Sequence, residues 1–176
     1  IFLTGLYSSQ EKEDTYQSTN GRGFDSDLMG FYQMAMADIV TGESAYRKKS
    51  YISQMLRAHY GFDNRYLITA TVRRDGYSAF GNDTKFGVFP SVALGWNLAN
   101  EEFMAGADFL GSLKLRLSYG ENGNEAISPY STLPRLSTSE YIDEDKTVLY
   151  GYFPAQLANP TLGWETTGSF NLGIDY

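Results

Sequence analysis

Alternation of apolar and polar residues over Arg65–Trp96 limits the fold of this chain more than any other feature. Side chains of a β-strand point to opposite faces with period 2. From Tyr66 to Val72 every second residue is apolar, and the set from Phe86 to Trp96 repeats the pattern after a polar loop over 75–83. Two such strands with one apolar face are typical of a soluble β-sandwich or of an outer-membrane β-barrel.

The same alternation predicts further strands on both sides of this hairpin. Asp63-Asn64 is predicted as a two-residue hairpin turn. Pro90 cannot donate a ladder hydrogen bond, so we expect a bulge there or regular pairing that starts after it. The predicted strands lie near residues 1–9, 46–62, 65–74, 85–98, 113–120 and 164–176.

The segments between these strands carry weaker signals. Residues 10–23 are polar and predict a solvated strand extension or a loop. Residues 25–38 predict one short helix that Asp25, Ser26 or Asp27 could cap. Residues 100–112 predict a connector, and the glycine-rich stretch 120–124 predicts a turn. Residues 121–163, with four prolines, predict a long loop-rich insertion.

Composition excludes several classes of function. The net charge of −7 leaves no electrostatic footprint for nucleic acid, so we expect no such partner. The chain has no cysteine, which removes disulfides, thiolate metal sites and Cys nucleophiles. His59 is the only histidine, and no nucleophile, base and acid recur at catalytic spacing. We therefore predict no enzyme activity, no metal and no cofactor.

Connector lengths favour the barrel over the sandwich. Asp63-Asn64 is very short and 121–163 is long, as expected for periplasmic turns and extracellular loops of an outer-membrane barrel. If Asp63-Asn64 is periplasmic, aromatic residues of the apolar face fall at two levels, near the two membrane–water interfaces. The predicted interface aromatics are Tyr60, Phe62, Tyr66 and Trp96 at one level and Phe86, Tyr119 and Trp164 at the other.

Six strands are too few to close a membrane barrel, since the smallest types use about eight. The predicted fold is therefore all-β, a segment of about six antiparallel strands from a large transmembrane β-barrel, with one short helix in an extracellular loop. The polar faces would line the lumen with the charged residues Arg57, Arg73, Lys114 and Arg116. The outer, lipid-facing set would be Ile68, Val72, Val92, Leu94, Leu115, Leu117, Phe170 and Leu172.

Four motifs in series resemble the SusC/RagA-like TonB-linked outer-membrane proteins of Bacteroidetes. They are RYLITATVRRDGYSAFG, KFGVFPSVALGWNLANEEFM, LKLRLSYGENGN and NPTLGWETTGSFNLGIDY, within 46–125 and 159–176. The resemblance implies a barrel of about 22 strands around an N-terminal plug, in the outer membrane of a Gram-negative cell. It implies TonB-driven import of oligosaccharides or peptides with a SusD-like surface lipoprotein as a lid. We expect the plug, the TonB box and the signal peptide to lie outside this chain.

Loops near 20–45, 75–84 and 121–163 would then contact the substrate, the lipoprotein or both. Their aromatic rings can stack on sugars or fill peptide pockets, or can pack the loops against each other. Tyr77 and Ala79 also depart from the residues that this family more often has after Asp75-Gly76. The candidate contact residues are Tyr77, Phe80, Tyr130, Tyr141 and Tyr152.

Two alternatives stay open at this stage. One is a soluble β-sandwich module that binds glycan or protein, in which the apolar set would be shared with a second sheet. The other is an outer-membrane barrel with enzymatic or adhesive work. The position of the apolar side chains separates the sandwich from both barrel hypotheses.

Overall fold

The computed structural model describes residues 1–26, 28, 30–104, 106 and 111–176. Strands dominate this part of the chain, and three short 3-10 helices span Gly30–Met36, Leu98–Asn100 and Glu102–Met104. The strands are β1 Phe2–Phe24, β2 Ala37–Phe62, β3 Tyr66–Tyr77, β4 Phe86–Asn97, β5 Lys114–Asn124, β6 Arg135–Ile142, β7 Val148–Gln156 and β8 Glu165–Asp175.

Six of the strands form one sheet in the order β1-β2-β3-β4-β5-β8, and β6 pairs with β7 in a separate sheet. The pairs from β2 to β8 are antiparallel. The all-β prediction with six antiparallel strands is therefore confirmed. The chain divides into two compact units, residues 11–49 and residues 1–10 with 50–176, which are described separately below.

The unit of residues 11–49 contains the distal parts of β1 and β2 and the first 3-10 helix. Its strands carry charges that pair, since Lys48 Nζ lies 2.7 Å from Glu11 Oε1 and 3.0 Å from Glu13 Oε1. The predicted helix over 25–38 is wrong in extent: the helix is a kinked 3-10 helix of seven residues, and β2 already begins at Ala37.

The structure does not bear out capping of this helix by Ser26, because the hydrogen bond that Ser26 accepts ends two residues before the helix begins at Gly30. Ser26 Oγ accepts a hydrogen bond from the backbone N–H of Leu28 at 3.3 Å, while Asp27 lies outside the described residues. The kink falls at Gln33, whose φ of −142° is not helical. The polar stretch 10–23 continues β1, in line with the expected strand extension.

In the other unit, β2 and β3 meet in a tight turn at the predicted place, but three residues and not two, Asp63, Asn64 and Arg65, separate the paired residues Phe62 and Tyr66. Asp63 and Asn64 have φ values of 51° and 50°, and Arg65 N–H donates to Phe62 O at 3.0 Å. Positive φ at both central residues is the signature of a type I′ turn, which suits the twist of a hairpin. We call the end of the sheet at which this turn lies the short-turn end, and the end at the opposite termini of the strands the long-loop end.

Pro90 lies in β4 at a position that is paired with β3 but not with β5. The β3–β4 register runs without a shift from Tyr66–Trp96 to Gly76–Phe86, so there is no bulge at Pro90. Pairing with β5 begins one residue later, at Ser91. The expectation that pairing starts after Pro90 is thus right for β5, where the missing N–H interrupts no described ladder pair.

In the second half of the chain, one prediction is wrong and another is incomplete. Residues 120–124 are not a turn, because β5 continues through them and pairs with β8 as far as Asn124–Glu165. The insertion 121–163 is not only loop, because it contains the β6–β7 hairpin. The hairpin turns at Asp143–Lys146, where Lys146 has a φ of 60°.

The apolar face of the six-stranded sheet is uncovered. One cross-strand row joins Tyr60, Ile68, Leu94, Leu117 and Leu172. Seven of the eight predicted outer residues are exposed by 37–72%, and Leu115 is half-buried. The buried hydrophobic residues in the described part of the chain are Tyr77, Ala79, Phe80 and Phe89, and none belongs to this set. This arrangement excludes the sandwich, which would bury the apolar set under a second sheet.

Among the described residues, no helix is both long enough and apolar enough to cross a membrane.

Candidate functional site

An aromatic cluster at the long-loop end brings together side chains from β2, β3 and β4 and from the loops that follow β3, β5 and β7. We use this name for Tyr51, Tyr77, Phe80, Phe89, Trp164 and the aliphatic Ala79 and Ile127. The Tyr51 and Tyr77 rings stack at 4.6 Å, and Phe80 meets Tyr77 and Trp164 edge-on, each at 5.1 Å. Such tilted and offset pairs are favoured by the ring quadrupoles and add to the burial of apolar area.

Close backbone contacts fix the loops that carry this cluster. Gly81 N–H donates to Leu162 O at 3.1 Å, and Thr84 Oγ1 donates to the same oxygen at 2.5 Å. Trp164 Nε1 donates to Lys85 O at 3.2 Å. A Cβ at Gly81 would lie 1.8 Å from the carbonyl oxygen of Pro160, so only glycine fits there. Loop 78–85 and loop 157–164 therefore form one packed layer.

This packing corrects three assignments made from the sequence. Tyr77 and Phe80 are each 2% exposed, so their rings contact the cluster and are not available to a substrate or partner. The alternative interpretation, packing of loops, describes both. Trp164 packs against Phe80 and Phe89 at the polar-face side and does not join the apolar face. It precedes the first residue of β8, so strand alternation does not apply to it.

Phe89 is a cluster member that the sequence reasoning missed. It lies on the polar face of β4, opposite Arg73, and is 4% exposed. Its ring occupies the space above two glycines, because a Cβ at Gly123 would lie 2.1 Å from it and one at Gly87 2.5 Å. One large ring among Gly, Ser and Ala on an otherwise small polar face is the signal that could have identified it.

The β6–β7 hairpin presents the remaining candidate contact residues. Tyr141 and Tyr152 are 55% and 74% exposed and lie on opposite faces of the hairpin. Tyr150 shares the face of Tyr152 and sits opposite Glu140. Tyr130 lies in the loop before β6 with a φ of 67°, and Gln156 Nε2 donates to the neighbouring Ser131 O at 2.8 Å. These tyrosines can still contact a ligand.

The four charged residues assigned to the lumen lie on the polar face, where three have partners on the sheet itself. Arg57 Nε donates to Thr71 Oγ1 at 3.2 Å, and Arg73 lies 3.2 Å from Asp75 Oδ2. Arg116 reaches Asp175 on the adjacent strand at 2.7 Å. Lys114 pairs with Asp175 in the strand register and lies beside Arg116.

The polar face offers no constellation for bond-making chemistry in the described residues. His59 contacts Thr69 Oγ1 at 2.9 Å, and no ion pair joins it to a carboxylate among the described residues. Within the same residues, no group of three or more His, Asp or Glu side chains is placed to hold a metal ion. The face can therefore offer hydrogen bonds and charge to a molecule that passes or rests against it.

At the short-turn end, one carboxylate holds two connections together. Glu101 Oε1 accepts hydrogen bonds from Tyr66 Oη at 2.7 Å and Trp96 Nε1 at 2.8 Å. Its Oε2 accepts from Arg65 Nη1 at 3.3 Å, and the side chain is only 10% exposed. The donors of Tyr66, then Trp96, then Arg65 lower the pKa of the Glu101 carboxyl below its ordinary value. The Glu101 lock, as we call it, was not foreseen from the sequence.

The strand register places the predicted interface aromatics at defined levels. Phe62, Tyr66 and Trp96 share one cross-strand row, and the Tyr66 and Trp96 rings lie 6.3 Å apart. Tyr60 lies in the row of Ile68. At the other end Phe86 pairs with Gly76, whereas Tyr119 pairs with Val92 and so lies nearer the middle of β4.

The sequence of this chain matches a known protein family over almost its whole length. Residues 2–176 match the family described as TonB dependent receptor-like, beta-barrel. The TonB-dependent receptor P3 of Formosa agariphila is 33% identical over 176 residues, which are 99% of this chain and 18% of the relative. The TonB-dependent receptor SusC of Bacteroides thetaiotaomicron is 33% identical over 160 residues, covering 89% of this chain and 16% of the relative.

Solved structures agree with the sequence relatives. The chain superposes on a structure of the RagAB peptide transporter with a TM-score of 0.78 at 27% identity, over 98% of this chain and 19% of that one. The chain thus spans less than a fifth of the length of these relatives. An uncovered apolar face, a short-turn end and a long-loop end are what a barrel wall requires. The chain belongs to the TonB-dependent receptor β-barrel family.

Proposed function

We propose that this chain forms part of the wall of a TonB-driven outer-membrane transporter that imports bulky nutrients, oligosaccharides or peptides. The observation that carries the proposal is the uncovered apolar row from Tyr60 to Leu172, which suits contact with outer-membrane lipid. Membership of a family that contains transporters named SusC and RagAB supports the import function. The polar face would line the lumen.

The orientation follows from the connections. The short-turn end would face the periplasm and the long-loop end the exterior, as in other outer-membrane barrels. Phe62, Tyr66 and Trp96, with Tyr60 close by, would then form the periplasmic aromatic girdle. Phe86 and Tyr119 would lie toward the outer leaflet.

Contact with nutrient would fall to the exposed tyrosines of the long loops. Tyr130, Tyr141 and Tyr152 offer flat rings with a polar hydroxyl, which can stack on a sugar face or pack against a peptide side chain. Loops near 20–45 and 121–163 would also meet a SusD-like surface lipoprotein. The RagAB structures described as open-open and closed-closed belong to a peptide importer that changes state, and we infer a similar cycle here.

The charged residues of the polar face would contact the plug. Arg57 and Lys114 have no carboxylate within 4.0 Å among the described residues, so they can pair with acidic groups outside this chain. Energy for import would come from TonB acting on the plug. Neither the plug nor TonB would touch the apolar face.

Uptake by the receptor that carries this chain tests the proposal. A strain lacking the receptor is complemented with the wild-type form, with Tyr141→Ala/Tyr152→Ala, or with Leu136→Ala as a control of similar exposure on β6. We expect nutrient uptake that depends on TonB, that falls several-fold in the tyrosine variant and that is unchanged in the control. Uptake that survives loss of TonB, or receptor loss that abolishes only adhesion or hydrolysis, would contradict import.

A further inference from the structure

A groove lies on the apolar face near the long-loop end, across β1, β2 and β3. Its volume is about 540 Å³, and its lining includes Gly5, Tyr7, Gln54, Leu56, Val72 and Arg74. A Cβ at Gly5 would meet nothing within 4 Å, so the groove is open above that residue. All of these residues belong to one compact unit.

The groove has an apolar part and a polar head in consecutive cross-strand pairs. Leu56 pairs with Val72, and the next pair on the same face, toward the long loops, is Gln54 with Arg74. Arg74 Nη1 donates to Gln54 Oε1 at 3.3 Å, and the guanidinium carbon lies 4.0 Å above the Phe86 ring. A cation on the apolar face of a membrane barrel is unfavourable at mid-depth and tolerated near an interface.

Arg74 carries a charge that no acidic side chain in the described part of the chain neutralises. No Asp or Glu oxygen of these residues lies within 4.0 Å of it, whereas the adjacent Arg73 on the other face pairs with Asp75. Stacking on Phe86 covers one face of the guanidinium and Nη1 donates to Gln54 Oε1, so the edge formed by Nε and Nη2 is the part available to an anion. A guanidinium edge is suited to bind a phosphate through two parallel hydrogen bonds.

The depth of this cation matches an interface. Arg74 lies eight residues beyond Tyr66 on β3, which is about 27 Å along an antiparallel strand. With a strand tilt near 40°, that is about 21 Å of an apolar band about 25 Å tall. If Tyr66 marks the periplasmic interface, the Arg74 backbone lies about 4 Å inside the outer boundary of that band, and its long side chain can reach the headgroups of the outer leaflet.

We propose that this groove binds a phosphate-bearing lipid of the outer leaflet. An acyl chain would lie along Leu56, Val72 and Gly5, and the Arg74 guanidinium would bind the headgroup phosphate with the Gln54 amide beside it. Because the groove is apolar along Leu56, Val72 and Gly5, free phosphate would contact only Arg74 and Gln54 and would bind far more weakly than the lipid. The proposal uses the outer-membrane placement and does not depend on what the receptor imports.

Native mass spectrometry of the detergent-purified receptor tests the site. The probes are monophosphoryl lipid A, the same lipid without phosphate, and inorganic phosphate alone. Arg74→Gln removes the charge, Gly5→Leu adds an apolar side chain to the groove at a position where a Cβ meets nothing within 4 Å, and Arg135→Gln on the separate β6–β7 sheet is the control.

We expect Arg74→Gln to weaken binding of the phosphorylated lipid about fivefold, the effect of one cation beside an anionic headgroup. The same variant should leave the dephosphorylated lipid unchanged, Gly5→Leu should weaken both lipids, and Arg135→Gln should weaken neither. Equal binding of both lipids by the wild type, or an unchanged affinity in Arg74→Gln, would overturn the proposal. Competition by inorganic phosphate at the concentration of the lipid would assign the site to free phosphate instead.

Discussion

The short-turn end and the long-loop end of one sheet are held by different interactions. At the short-turn end a carboxylate accepts hydrogen bonds from Arg65, Tyr66 and Trp96, close to a tight turn with positive φ at Asp63 and Asn64. At the long-loop end aromatic rings pack into a cluster that contains the buried hydrophobic side chains of the described residues. Hydrogen bonds to Glu101 therefore hold one end of the sheet together, and packing of the aromatic cluster holds the other.

The two sets of contacts act on different parts of the molecule: one fixes strand register and the other supports the β6–β7 hairpin. The Glu101 lock joins β3 with the connection that follows β4, so it fixes strand register near the proposed membrane interface. The aromatic cluster joins loops around residues 80 and 162, so it provides a rigid base from which the β6–β7 hairpin projects. The hairpin, with its exposed tyrosines, is the part left able to meet a ligand.

Removing a central ring should have the largest effect. Phe80→Ala deletes a 2%-exposed ring that contacts Tyr77 and Trp164, so we expect a loss of about 3–5 kcal/mol in the stability of the packed loops. Hydrogen exchange of loops 78–85 and 157–164 in the purified receptor measures it. Leu136→Ala, at a position 69% exposed, is the control. Unchanged protection in Phe80→Ala would show that the cluster does not hold these loops.

A smaller effect is expected from a single methyl group between the two loops. Gly81→Ala would place a Cβ 1.8 Å from Pro160 O and force the backbones apart, at a cost of about 1–3 kcal/mol. The expected result is faster exchange in both loops with normal exchange at the short-turn end. Gly106→Ala, where a Cβ meets nothing within 4 Å, is the matched control. Equal behaviour of the two variants would contradict the packed layer.

Glu101→Gln tests the Glu101 lock, and its effect should depend on pH. The depressed pKa means that the carboxylate stabilises the fold fully above its unfolded pKa of about 4.3, and that this contribution is lost as pH falls through the lower folded value. Denaturant midpoints of the wild type and the variant should therefore differ at pH 7, and the difference should shrink as the pH falls through the lowered folded pKa. Glu144→Gln, in the β6–β7 turn, should show no difference at any of these pH values. A constant difference across this pH range would mean that charge on Glu101 is not what stabilises the lock.

The smallest effect concerns the hairpin turn. Asn64→Ala replaces a residue at a φ of 50° with one that disfavours it, and should cost about 1 kcal/mol of unfolding free energy. Asn64→Gly should cost less, because glycine adopts positive φ readily. Chemical denaturation of both variants measures the difference. If alanine were tolerated as well as glycine, the turn would not be under the backbone constraint described here.

The parts that sequence could predict are those with a local cause. Alternation in β3 and β4 identified the apolar face, and Asp63-Asn64 identified the type of connection. Distant partners decided the rest: residues 120–124 look like a turn by composition, yet β8 supplies a strand for them to pair with. Strand pairing overrides the weak propensity of Gly and Asn.

The candidate site was harder to predict for the same reason. Tyr77 and Phe80 are aromatic residues in a polar loop region, as contact residues often are, and they are buried by Tyr51 and Trp164, which are distant in sequence. Glu101 is one acid among several near the end of β4, and its role depends on donors from Arg65 and Tyr66 across the turn. Tyr141 and Tyr152, on the exposed hairpin, are accessible as the composition of this segment suggested.

The aromatic cluster also implies an order of assembly. Two of the hydrogen bonds around it, from Thr84 Oγ1 to Leu162 O and from Trp164 Nε1 to Lys85 O, join residues that are 78 and 79 positions apart in the sequence. The turn at Asp63-Asn64 instead closes between Phe62 and Arg65. Short hairpins form in microseconds, and contacts across long stretches of chain must first overcome the entropy of loop closure. The β2–β3 hairpin can therefore form early, while the base of the β6–β7 hairpin has to wait until β8 arrives. The support of the surface proposed to meet nutrient would therefore be completed after the hairpin that carries it.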